Sequence, residues 1–223
     1  MRHQFTTISI FIFLLLVFAG CASTRSIDTL LVEVWHDDQQ SRHQLVELTK
    51  AVTVDGRTEL IDSLVLVSEI IERNDVRNIK IVDKILKRDL PEGLAEESYK
   101  TIWIVIDHAT LEKQEQYLPL VYQMATAGYI GLDEYAILYD RVAMGKNSPQ
   151  RYGSQLVQFG NADNLQLYVW PIENVEELDS LRNTVGMSSF NKYLKHIEET
   201  MGITPMHDTT LTIEELNKMR GKE

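Results

Sequence analysis

His108, Asp140, Arg141, Tyr152 and Gln155 are the residues of this chain whose types could combine into a chemical site. A histidine titrates near neutrality and serves as a general base or a ligand-binding imidazole. An aspartate can orient that ring, as Asp140 would for His108. An arginine such as Arg141 can hold a carboxylate or phosphate through two parallel hydrogen bonds. Tyr152 and Gln155 would add a hydroxyl and an amide.

Each residue also has a plainer reading. His108 ends the most apolar run of the chain, where a buried ring would simply be bonded to a carbonyl or carboxylate. Asp140 and Arg141 are adjacent on an expected helix, so their side chains diverge by about 100° and each needs a partner elsewhere. Asp140 could accept from His108 or Tyr152, or both residues could belong to ordinary helix-packing ion pairs. Gln155 shares a strand face with Val157 and Phe159, so it either pins the strand to the helices or reads a ligand. Asp38 and Arg42, one turn apart, are worth roughly 0.2–0.5 kcal/mol if exposed, and join the polar cluster if they face inward.

Other chemistries lack their residues. Met144-Gly145-Lys146-Asn147 has neither the first glycine nor the Ser/Thr after lysine that a phosphate loop needs. There is no Gly-x-Ser-x-Gly elbow. His36 and His43 stand two helical turns apart, too far for a compact metal site, and no metal or cofactor is expected.

The elements that must position these residues are mainly helices. Leu31, Val34, Trp35, Asp38, Arg42, Leu45 and Leu48 fall near one face of a helix expected over 28–51. Val54-Asp55-Gly56-Arg57 breaks it. Two helices follow, over 58–73 and 75–88, with Asn74 or Asp75 as a cap. Pro91-Glu92-Gly93 is a stop. The apolar run at 101–106 fits a buried strand or a buried helix, and the helix formers Leu94-Ala95-Glu96-Glu97 before it favour a helix over 94–109. Helices over 111–126 and 132–144 end near Gly128 and Gly145. Alternation at 152–159 and 165–170 around a turn-rich 160–164 predicts a β-hairpin, ended by Pro171. Helices over 174–184 and 188–200 follow, and 212–220 reads as a peripheral helix.

The N-terminus carries an address. Arg2 precedes an apolar run at 8–19, and then come Gly20 and Cys21, the only cysteine. Phe18-Ala19-Gly20-Cys21 resembles a bacterial lipobox. That resemblance implies cleavage before Cys21 and its modification with acyl chains such as palmitate, giving stable membrane anchoring. Ala22 in place of Asp implies the periplasmic face of the outer membrane, if the host has two membranes. The anchor commits Cys21, so a cysteine nucleophile is excluded and no intrachain disulfide is possible. The chain has 22 basic and 33 acidic residues, and loss of Arg2 with the signal leaves 21 against 33, a net −12. Such a domain is a poor partner for nucleic acid and for an anionic bilayer surface.

An ordered set of motifs runs through the remainder: Asp107-His108-Ala109, Asp140-Arg141, Gln150-x-Tyr152-Gly153-Ser154-Gln155, Pro171-Ile172, Asp179-x-x-Arg182 and Gly186. Over about 30–195 it resembles an uncharacterised bacterial family, a domain of unknown function with Gln-His-Ala, Asp-Arg and Tyr-Gly-Thr-Gln elements. Asp107 stands where that family commonly has Gln, and Ser154 where it commonly has Thr. The resemblance implies positions and no reaction.

The chain is therefore expected to be mainly α, a single helical domain over 28–200 with one late β-hairpin near 152–170. A signal peptide at 1–20 and a tether at 21–27 precede it, and an acidic tail at 201–223 follows. Three functions remain open for this envelope lipoprotein. One is a module that binds a small polar ligand or an envelope protein through the cluster. Another is a hydrolase-like enzyme with His108 as base, and the last is a structural protein with a buried polar lock.

Overall fold

The computed structural model describes residues 5–160 and 164–221, with side chains from Thr24 onward. The lipobox and Cys21 lie outside the residues whose side chains are described. In chain order come α1 (Phe5–Thr53), a 3-10 turn (Thr58–Leu60), α2 (Ile61–Ile85), α3 (Glu96–Asp107), α4 (Leu111–Thr126) and α5 (Leu132–Gly145). Then follow β1 (Leu156–Phe159), β2 (Gln166–Val169), α6 (Leu178–Thr184), α7 (Phe190–Met201) and α8 (Ile213–Met219). The fold is mainly α with one late antiparallel hairpin, as the periodicities predict. Among the described residues no helix is long and apolar enough to cross a membrane.

Helix α3 is the centre of the main core. Eight of its twelve residues are buried, including Ile102 and Ile106 at 0 % exposure. Leu31 and Val34 of α1, Val82 of α2, Val121 of α4 and Leu138 of α5 close around it. This settles the run at 101–106 as helix: all-round burial is what an all-apolar helix needs. Its start is capped from another element. Asp28 Oδ1 accepts from Ala95 N at 3.1 Å and from Ser98 Oγ at 2.6 Å.

Four expectations need correction, each for a tertiary reason. Asp28 does not begin a helix; residues 24–27, expected as a tether, are already helical in α1, and Asp28 caps α3 instead. Trp35 is not on the inner face: Leu31, Val34 and Asp38 hold the buried stripe, and Trp35 is 41 % exposed at its edge. The span 58–88 holds one long helix rather than two. Asn74 and Asp75 do not cap it, because Asn74 Nδ2 donates to Asp37 O at 3.0 Å and Asp75 receives Arg42, both across to α1. Residues 152–155 are not strand, because Asp140 holds their backbone in a turn, and the ladder begins at Leu156 opposite Val169.

The C-terminal part forms two smaller cores. Val157, Phe159 and Trp170 pack with Leu216 of α8, while Val169, Leu178 and Phe190 pack on the other side. Met206 N donates to Leu167 O at 2.7 Å and Val169 N to Met206 O at 2.9 Å, so the tail covers the outer edge of β2. Thr212 and Glu215 cap α8 reciprocally. The segment expected to be peripheral is thus docked through Leu216, which is 0 % exposed. Leu216→Ala should lower stability by about 2–5 kcal/mol in urea melts; a change under about 0.5 kcal/mol would show that α8 is undocked in solution.

Candidate functional site

The hairpin is attached to the helices by one buried carboxylate. Asp140, on α5 behind the small Ala136, is 0 % exposed. Its Oδ1 accepts from Arg151 N (2.8 Å) and Tyr152 N (3.0 Å), and its Oδ2 from Ser154 N (3.0 Å) and Ser154 Oγ (2.9 Å). Burial pushes its pKa above 3.8, against the pull of those N–H groups. Gln150, also 0 % exposed, bonds Gln155 N, Gln155 O and Trp170 O. Gln155 Nε2 donates to Ile137 O at 3.2 Å, so it does pin the hairpin to α5. Gly153 has φ 66°, and a Cβ there would stand 3.1 Å from the Phe190 ring, so the turn needs glycine twice over. Tyr152 contributes its main chain here; its ring sits edge-on to Tyr139.

His108 lies elsewhere. It follows α3, 14 % exposed, with Nδ1 3.1 Å from Asp38 Oδ1 of α1. Asp140 does not orient it, because every oxygen of Asp140 is taken by the hairpin. Asp38 is 1 % exposed and also 3.6 Å from Arg42 Nη1, and Arg42 grips both oxygens of Asp75 at 2.9 and 3.0 Å. On its other side His108 Nε2 is 4.0 Å from Asp107 Oδ2, and Asp107 Oδ1 accepts from Arg141 Nε at 2.8 Å. An alternating chain of acidic and basic side chains therefore runs Asp75, Arg42, Asp38, His108, Asp107, Arg141. Asp38 and Arg42 do face inward and join it. Asp75 escaped sequence reasoning because it was read as a helix cap; its place one turn before the buried Asn78 and two before Val82 was the available signal.

Burial raises the Asp38 pKa, but the His108 hydrogen bond and the charges of His108 and Arg42 outweigh it and hold the carboxyl below 3.8. At Asp75 burial wins over Arg42 and the pKa lies above 3.8. Asp38, Asp75 and His108 bring one ligand atom each within 4.8 Å of one another, a spacing a metal ion would accept. The Arg42 guanidinium already supplies the positive charge between these two carboxylates.

Arg141 ends the chain of charges at a cleft. This opening, of about 370 Å³, is lined by α5, the turn before β1, and the segments around α6 and α7. Arg141, Ser154, Gln155, Arg182 and Tyr193 supply its polar wall. Arg182 is 3 % exposed. Its Nε donates to Ser188 O at 2.6 Å and its Nη1 to Tyr152 O at 2.6 Å, and the Tyr193 ring lies 5.1 Å from Cζ. It makes no ion pair among the described residues. Burial pushes the Tyr193 phenol up to about 12 despite both arginines, so it stays protonated and donates to Ser154 O at 2.7 Å.

Of the five residues first singled out, Arg141 and Gln155 line the cleft. His108 is linked to it through Asp107. Asp140 and Tyr152 hold its wall in place from behind. Arg182, present in the sequence motif but given no role there, is its most buried charge.

Residues 27–205 match a family model described as a family of unknown function (DUF6624). Neither a curated protein nor a solved structure matches the chain.

The His108–Asp38 pair makes a pH prediction. A carboxyl with a lowered folded pKa contributes stability above its unfolded value, and the contribution is lost as pH falls through the folded value. Asp38→Asn should cost about 1–3 kcal/mol at pH 7, and the gap from wild type should close below pH 3.8. Urea melts at a series of pH values read this directly. A gap that stays constant down to pH 2 would detach Asp38 from His108 and Arg42.

Proposed function

We propose, from the premise that the chain belongs to the DUF6624 family of unknown function, that it is a lipid-anchored envelope lipoprotein that binds a small polar ligand. The observation that carries the binding reading is Arg182: a buried guanidinium lining an open cleft, satisfied by carbonyls and rings but by no carboxylate. Buried charge is costly unless a counter-charge accompanies it. Asp179 and Asp140 act on Arg182 through space without touching it, and a ligand bringing an oxyanion would supply a direct counter-charge, beside Arg141. The Asp140–Gln150 network is the lock that gives this wall its shape.

The anchor reading rests on the sequence: Arg2, the apolar run at 8–19, and the single Cys21 behind Phe18-Ala19-Gly20. Acyl chains on Cys21 would hold the protein to a membrane of the cell envelope, on the periplasmic face of the outer membrane in a host with two.

The His108–Asp38 contact favours a second reading, a hydrolase-like enzyme. Nδ1–H donated to Asp38 would leave Nε2 to take a proton. Asp38 would then be the orienting group that Asp140 is not. The binding reading is preferred because His108 does not line the cleft, and the Asp107–Arg141 ion pair links the two.

Cys21→Ser should move the protein from the membrane fraction to the soluble fraction; retention in the membrane would end the lipoprotein reading. In a thermal-shift screen of small carboxylates, phosphates, amines and amino acids, at least one compound at about a hundredfold excess over its Kd should raise Tm by about 5 °C or more. Arg141→Gln should weaken that shift. A screen without any such compound would leave the cleft a structural feature.

A further inference from the structure

Two opposite charges line the cleft, and neither has an ion-pair partner among the described residues. One is Arg182. The other is Asp133, in the first turn of α5. Its carboxylate folds back over Gly131, where a Cβ would come within 2.1 Å of Oδ1; only glycine at 131 leaves room for it. Asp133 and Arg182 are not within ion-pair distance of each other. The remaining lining charge, Arg141, is neutralised by Asp107 at 2.8 Å. The cleft thus presents one cation and one anion without a direct ion-pair partner, with the Asp179 and Asp140 carboxylates acting on Arg182 only through space.

We infer that the ligand is a small zwitterion, a free amino acid or a dipeptide, whose carboxylate is received by Arg182 beside Arg141 and whose ammonium is received by Asp133. This rests on the binding reading above. Charge balance selects the class. A lone carboxylate leaves Asp133 unmatched, a dianionic phosphate meets Asp133 with repulsion, and a lone ammonium meets two guanidiniums. A zwitterion leaves the balance unchanged and matches both ends. Arg182 is already held by Ser188 O and Tyr152 O, so little freedom is lost on binding. Ile137 and Met187, also in the lining, offer apolar surface to a small side chain.

The test is titration calorimetry on the full chain in detergent, with alanine, alanyl-alanine, acetate, methylamine and inorganic phosphate as separate probes. Alanine or alanyl-alanine should bind saturably and about tenfold or more tighter than acetate or methylamine. Which of the two wins reports the spacing of the two charges. Asp133→Asn, a change at a half-buried rim position, should abolish that advantage without weakening acetate binding. Arg141→Gln should weaken acetate and the zwitterions alike. Zwitterions that bind no tighter than acetate, or an advantage that survives in Asp133→Asn, would overturn the inference. If acetate or phosphate then binds and Arg141→Gln weakens it, the cleft remains a binding site and only the ligand class falls. Silence from all five probes overturns the zwitterion as well, and the broader screen above then decides the fate of the binding reading.

Discussion

The Asp140 carboxylate holds three backbone N–H groups and a hydroxyl of the segment 151–154, and the C-terminal half of the protein is arranged around that grip. It turns the chain back toward α5 without any regular ladder. It aims the Tyr152 carbonyl at Arg182. It also sets Gln155 where its amide reaches Ile137 O, so β1 starts in register beside the helices. A charge this deep is tolerated because its oxygens are fully supplied with donors. Removing them would leave a buried carboxylate that nothing else in the fold could solvate.

The second organising device is the run of charges from Asp75 to Arg141. It crosses the packed seam of α1, α2 and α3 and continues to α5, joining elements that the hydrophobic core alone would leave free to slide. Acidic and basic side chains alternate along it, so each carboxylate has a basic partner beside it, and a network satisfied in this way specifies one arrangement of helices. Arg42 Nη1 is buried without a hydrogen bond, 3.6 Å from Asp38, and the longest joint is His108 Nε2 to Asp107 Oδ2 at 4.0 Å. The network ends in the cleft wall. Asp107 therefore stands between that wall and His108.

The contrast between Asp140 and Asp38 shows how environment divides like residues. Both are almost fully buried aspartates. Asp140 is surrounded by neutral donors, and burial dominates its titration. Asp38 faces His108 and Arg42, and the His108 hydrogen bond together with their charges outweighs its burial. One holds a turn in shape and the other holds an imidazole.

Most of the helices, the late hairpin and the identity of the polar residues could be read along the chain, because these follow from local periodicity, turn chemistry and residue type. The helix over 132–144 and the antiparallel pairing of two late strands were legible in this way, and so was the unusual inward Gln155. The partners of those side chains come from the packing of distant elements. Asp38 and His108 are 70 residues apart, and nothing local says that they meet. Asp28 and Asn74 have the chemistry of helix caps, but their nearest donors and acceptors turned out to belong to other helices. Of the partners open to Asp140, the fold supplies Tyr152, through its backbone N–H, and not His108. A side chain carries its donors and acceptors in its chemical identity, whereas the group that satisfies them is set by which elements the core brings within hydrogen-bond reach.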